Sequence, residues 1–150
     1  MYDSSKDTLQ HKEHVRHIIE DILVPELLER AKNHDNSKLE SPEKETYDKY
    51  IPELRKAKYG SSEYLKITEE MKKTGMDHHT KVNRHHPEHF PNSDISHMNL
   101  IDLVEMFADH YAASLRSDTG YEKGEKMNAE RFHYDNQILN IFLNTHKDLL

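Results

Sequence analysis

The chain has no cysteine and no tryptophan, few glycines and prolines (4 and 5), and no apolar run of membrane length. Without cysteine there are no disulfides and no thiolate metal sites, so any metal must be held by nitrogen and oxygen. Without a long apolar run there is no membrane-spanning helix and no membrane partner to expect. With so few glycines and prolines, helices have few places to break. A basic surplus is also missing: 28 Asp and Glu stand against 21 Lys and Arg, a net charge of −7 with histidine neutral. General nucleic-acid binding is therefore not expected. A small phosphorylated substrate is still compatible, because a metal and a few cations can bind one locally. The opening Met1-Tyr2-Asp3 lacks the basic-then-apolar pattern of a signal peptide, and the expected location is cytoplasmic.

What is present is histidine, 13 in 150 residues, six of them between His78 and His97. Neutral imidazole is the commonest protein metal ligand, so the count makes a metal worth seeking. The length suits one domain over 1–150 with a real core. Only 34% of residues are apolar against 33% charged, which predicts helices with one wet face.

Every persuasive segment is helical, and no stretch alternates cleanly enough to be a strand. One helix is predicted from about Lys6 to Leu23 and a second from Pro25 to about Lys32. Ser41-Pro42 reads as a cap and first-turn proline for a helix through Tyr47, Tyr50, Ile51 and Leu54, stopping near Gly60 and kinked or split at Pro52. Residues 62–73 form another, ended by Gly75. Asp77 is placed to cap a short helix through the histidine doublets, with Pro87 at its end. After a proline-containing loop, Ser96 is the expected cap of a helix reaching Leu115. Residues 117–124 read as loop, and a last helix runs from about Met127 to His146.

Four features could carry chemistry. His34-Asp35 lies just past an amphipathic helix, where two neighbouring side chains can be aimed at one ion; the pair equally suits a surface terminus where Asp35 caps a turn. On the first helix, with Val15 at zero, Ile22 and Ile18 lie at about −20° and −60°, and His11 at about −40°. His11 is thus the histidine placed to enter the core, as a ligand or bonded to a backbone carbonyl. Five histidines fall between His78 and His89; His78 and His85, and His79 and His86, share faces if that helix is continuous, and Arg84 adds a cation suited to phosphate. Arg84 also stands four residues before Glu88, an ordinary helical pair. Finally, Asp102, Glu105 and Asp109 lie opposite the apolar stripe of their helix, which by periodicity is a solvated acidic face. Tyr47, Tyr50, Tyr59 and Tyr64 could line a pocket but are spaced as core residues.

His11 with Thr8 to Lys12, then His34-Asp35-Asn36-Ser37-Lys38, Ser41-Pro42-Glu43 with Tyr47, His78-His79 with Asn83 to His86, and Glu105 to Asp109 follow a familiar order. That order resembles the HD superfamily of metal-dependent phosphohydrolases, and within it the small uncharacterised bacterial and phage HD-like proteins. The resemblance covers residues 8–109. It implies an all-α helical bundle with a central metal, and His11, His34, Asp35 and Asp109 as ligands. It makes Asp109 a ligand where periodicity reads a solvated face. The middle histidines, His79 and His86 among them, resemble the extra ligands of two-metal members, which allows a second metal; the sequence does not decide which of each doublet binds.

The implied cofactor is a divalent transition metal, Mn, Fe, Co, Ni or Zn. The expected reaction is hydrolysis of a small phosphate ester, nucleotides included. Asp35 would orient the water, Lys38 and Arg84 would neutralise the phosphate, and one of His78, His79, His85 or His86, with His85 the representative choice, would protonate the leaving group. A di-iron oxygenase and a non-enzymatic, metal-stabilised interaction protein are the alternatives.

Overall fold

The computed structural model describes residues 2–58, 61–116 and 118–149. Tyr59, the helix stop expected near Gly60, and the start of the loop expected at Ser117 lie outside the described residues. The architecture is all-α, with no strand among the described residues. None of the helices is long and apolar enough to cross a membrane. Contacts divide the chain into two compact units, Met1–His34 and Asp35–Leu150.

The first unit is one helical rod. Helix α1 (Ser5–His17) runs through a π-helical segment, Ile18–Leu23, into α2 (Val24–Asn33). Pro25 was expected to start a separate helix; instead the rod continues through it. A proline ring clashes with the carbonyl four residues earlier, and the wider π turn just before Pro25, where the Val24 N–H reaches the Ile19 carbonyl, relieves that conflict. By itself the rod gives its apolar stripe nothing to pack on, and Val15, Ile18, Ile19 and Ile22 are exposed. His11 lies exposed on α1 in the same stripe.

The second unit opens with a tight turn. Asp35 adopts the left-handed conformation (φ 59°), which an Asp tolerates better than most residues, and the chain passes into a 3₁₀ turn, Asn36–Leu39. Helix α3 (Glu43–Leu54) carries Pro52 in its last turn without a break. Helix α4 (Ser62–Met71), capped by Ser61, continues through a second π segment, Lys72–Met76, into α5 (Asp77–Val82). Neither Gly75 as a stop nor Asp77 as a cap holds. Gly75 is needed for closeness: a Cβ there would lie 2.6 Å from Thr46 Oγ1 and 3.1 Å from the Pro42 carbonyl. Its lack of a side chain lets the α4–α5 rod sit against the start of α3. Tyr50, Ile67 and Met71 form the buried core between α3 and α4, joined by the partly buried Tyr47, Ile51 and Leu54.

Short 3₁₀ turns carry the chain from Pro87 to His97. Helix α6 (Leu100–Ser114) begins at Asn99, not at Ser96: Asn99 accepts from the Asp102 N–H and Asp102 accepts from the Asn99 N–H, a reciprocal capping box. What was expected as one last helix is two. Helix α7 (Tyr121–Phe132) starts inside the expected loop; His133 turns left-handed (φ 56°), and α8 (Asn136–Leu149) follows. Asp135 accepts from the N–H groups of Gln137 and Ile138 at 2.8 and 3.1 Å, which restarts the helix. Ile101, Met106, Tyr121, Ala129, Tyr134 and Phe142 are buried apolar residues of this part.

Candidate metal centre

Asp35, His79, His85 and His86 each bring one ligand atom to a group whose members all lie within 4.8 Å of one another. His79 Nε2 is 2.8 Å from His86 Nε2 and 3.3 Å from Asp35 Oδ1; His85 Nε2 is 3.6 Å from the same oxygen. Metal–nitrogen bonds of about 2.0–2.1 Å place neighbouring ligand atoms roughly 3.0 Å apart in an octahedron and 3.4 Å apart in a tetrahedron. The observed separations bracket those values. A carboxylate with three imidazoles is a donor set for borderline divalent transition metals.

The expected i, i+7 pairing of the doublets is not how this forms. Helix α5 ends at Asn83, whose backbone turns extended (φ −104°, ψ 114°), so His85 and His86 lie beyond the helix. His79 remains on α5 and is buried, as is His85. The turn back is held by Asn83, whose side-chain amide donates to the His79 carbonyl and to Ser37 Oγ, both at 2.8 Å. One side chain thereby ties the Asn36–Leu39 turn, with Asp35 before it, to α5. The structure separates the first doublet: His79 joins the group, whereas half-exposed His78 turns its Nδ1 to Glu43 Oε1 at 2.7 Å. Both members of the second doublet join.

The imidazoles are held from behind. His79 Nδ1 lies 2.8 Å from Glu43 Oε2, and His85 Nδ1 lies 3.2 Å from Glu105 Oε1. A carboxylate accepts hydrogen bonds, so His79 Nδ1 carries the proton and its Nε2 presents its lone pair. Glu43 is wholly buried at the first position of α3, where the helix N-terminus favours negative charge, and Ser37 Oγ also donates to it at 2.9 Å. Burial lowers the His79 pKa, reinforced by the nearby Lys38 charge. Burial, together with His85 and His79, pushes His86 down to about 3. These rings stay neutral, the form that binds metal.

The other expected residues fall as follows. Lys38 sets its ammonium on Asp35 Oδ2 and over the Tyr47 ring, 5.3 Å from the centroid. Burial first, then the carboxylates of Glu43, Asp35 and Asp109, raises the Tyr47 pKa. Of the remaining tyrosines, Tyr50 is core and Tyr64 half-buried. Arg84 does not pair with Glu88, which binds Arg131 at 2.8 Å. Its guanidinium grips Asp102 through two bonds, Nε to Oδ1 at 3.0 Å and Nη2 to Oδ2 at 2.7 Å. That fork clamps the histidine turn to the start of α6, so Arg84 is first a structural tie.

The solvated acidic face expected on α6 is overturned. Asp102 is fully buried, Glu105 nearly so, and Asp109 half-buried, while Leu100 and Val104 are exposed. Asp109 offers a carboxylate oxygen within 4.8 Å of one from Asp35. His34 ends the first unit at the C-terminus of α2, directly before Asp35 in the chain. Glu43, Asn83, Ser37 and Glu105 carry no local signature of their roles. All four stand inside the stretches that carry the resemblance, which assigned them no role.

No curated protein and no solved structure matches the chain. A family model does, over residues 1–149, and on that match the chain belongs to a family of unknown function, DUF5662.

Proposed function

We propose that the protein is a metal-dependent phosphohydrolase acting on a small phosphate ester, nucleotides included. The observation that carries this reading is the convergence of Asp35, His79, His85 and His86, with Glu43 and Glu105 behind two of the rings. The order of motifs, which resembles the HD superfamily, supports it and adds Asp109 to the ligands. A bound divalent metal would polarise a phosphoryl oxygen and lower the pKa of a water. The chain's own residues do the rest. Asp35 divides its carboxylate, Oδ1 toward the histidines and Oδ2 toward Lys38. Lys38 is therefore the cation at hand for a phosphate oxygen. Glu43 and Glu105 fix the rings so that no reorientation is needed when a ligand arrives. His85, inside the donor set, is a ligand in this reading rather than the proton donor. His78 is the one imidazole of the four outside the set, and the leaving-group proton falls to it.

The test is metal content of tag-free protein and of Asp35→Ala, followed by a phosphate-ester screen with Mn, Co, Ni, Zn or Fe(II) restored. About one equivalent in the wild type, lost in the variant, with turnover of an ester, is expected. No metal after reconstitution would overturn the reading. Two irons with colour and no ester turnover would overturn it in favour of the oxygenase.

A further inference from the structure

We infer that Glu43 is the positioning residue of the centre: it selects the tautomer of His79 and thereby sets metal affinity, without itself touching metal or substrate. This rests on the metal-site reading for its affinity part and on geometry alone for its tautomer part.

Three donors converge on Glu43. Oε2 receives His79 Nδ1 at 2.8 Å and Ser37 Oγ at 2.9 Å; Oε1 receives His78 Nδ1 at 2.7 Å. The side chain has no solvent exposure, so a lost partner is not replaced by water. The three donors come from two elements: Ser37 from the turn that follows Asp35, and the two histidines from α5. Glu43 itself stands where α3 begins. Gly75 lets α5's rod approach that point. A neutral imidazole has one proton and two nitrogens. If it sat on Nε2, His79 would point an N–H at His86 Nε2 and Asp35 Oδ1 and would have no lone pair for a metal. The Glu43 carboxylate, accepting only, keeps the proton on Nδ1. Glu105 lies behind His85 at the longer distance of 3.2 Å from its Nδ1.

Glu43→Gln is the informative change. It preserves size, but its amide can accept from Nδ1–H or donate to a bare Nδ1, so the tautomer is no longer dictated. Two readouts are needed on the full chain. Long-range ¹⁵N NMR of metal-free protein reads the His79 tautomer directly, and chelator competition with Zn²⁺ reads affinity. We expect Nδ1–H in the wild type, a mixture or Nε2–H in Glu43→Gln, and about a 10- to 100-fold loss of Zn²⁺ affinity. Glu43→Asp, which retains an acceptor-only carboxylate, should keep the Nδ1–H tautomer and recover part of the affinity; it also serves if Glu43→Gln does not fold. An unchanged tautomer and unchanged affinity in Glu43→Gln would overturn the inference. If the wild type binds no Zn²⁺, the metal reading fails separately, and the tautomer alone decides the role of Glu43.

Discussion

The second unit holds two buried clusters of histidine and acid, and they are built on opposite principles. In the first, nitrogens from His79, His85 and His86 converge on an oxygen of Asp35. In the second, donors converge on a carboxylate: Glu125 is fully buried, His110 Nδ1 donates to its Oε2 at 2.9 Å, and the Tyr134 hydroxyl donates to its Oε1. Donors around an acceptor complete one another, and nothing further is called for. Acceptors facing acceptors do not. Two imidazole nitrogens 2.8 Å apart, one already fixed as a lone pair by Glu43, are stable only with a proton or a cation between them. Counting donors against acceptors therefore separates a structural network from a ligand-seeking site where composition alone does not.

The sharpest way to break this contrast is to exchange their failures. Glu125→Ala strands His110 and Tyr134 and should cost roughly 3–5 kcal/mol, read as a lower urea midpoint. It should leave the Zn²⁺-induced rise in midpoint intact. His79→Ala should do the reverse, abolishing that rise, which for the wild type is about 2.7 kcal/mol at a hundredfold excess over Kd. A Glu125 variant that loses the Zn²⁺ response would collapse the distinction.

Acid and alkali should separate the clusters next. His86 titrates in the folded protein at about 3, below the ordinary histidine value of 6.5, chiefly through burial. A depressed histidine pKa means that the unfolded chain binds the proton more readily. Metal-free stability from this ring is thus full above 6.5 and lost progressively as pH falls toward 3. His79 shifts in the same direction. Tyr134 moves the other way: burial, then Glu125, raises it above its usual 10.0, so its contribution is full below 10 and lost as pH rises beyond. Urea midpoints across pH should fall on both sides. Zn²⁺ should protect the acid side, where protons compete with it, and leave the alkaline loss that comes from Tyr134 in place.

How much of this was legible in the sequence follows from which signals are local. Helical periodicity gave α1, α3, α4 and α6, because apolar spacing is a property of one segment. It failed at α7, whose Tyr121-Glu122-Lys123-Gly124 start is polar with a glycine. It also failed on the acidic face of α6, because periodicity marks a polar face without saying whether water or buried partners meet it. Asp35 and the two histidine doublets could be named from residue type and order, but not which member of each doublet takes part. The break at Asn83, which frees both His85 and His86 from the helix, could not, since Pro87 restrains only the residue before it. The role of Glu43 was out of reach for the same reason: its histidine partners lie 35 and 36 residues away. The Asn99-x-x-Asp102 cap was readable, and Ser96 was the wrong choice.

A substitution midway in size tests whether the donor geometry depends on backbone approach. Gly75→Ala introduces a methyl 2.6 Å from Thr46 Oγ1, which is itself bonded to the Pro42 carbonyl. Overpacking of this kind costs about 1–3 kcal/mol. Because the strain lies between the start of α3 and the turn leading to α5, it should also weaken Zn²⁺ binding by drawing His79 from Glu43. The Glu125 cluster, built on α6, α7 and the link that follows α7, should keep its alkaline transition. Weakened stability with unaltered Zn²⁺ affinity would show that the Glu43–His79 contact tolerates the shift.

The smallest expected effect isolates the tie between the histidine turn and α6. Asn99→Ala removes the acceptor for the Asp102 N–H and should cost about 1 kcal/mol, seen in the urea midpoint. Asp102 keeps its two bonds to Arg84, and Glu105 stands one turn further along α6, past the reach of a frayed cap. Zn²⁺ affinity should therefore stay within about twofold. Arg84→Ala, which removes the fork itself, should lower both stability and affinity. If Asn99→Ala reduced affinity as much as Arg84→Ala does, the position of His85 would be set by the whole first turn of α6 rather than by the Arg84–Asp102 fork.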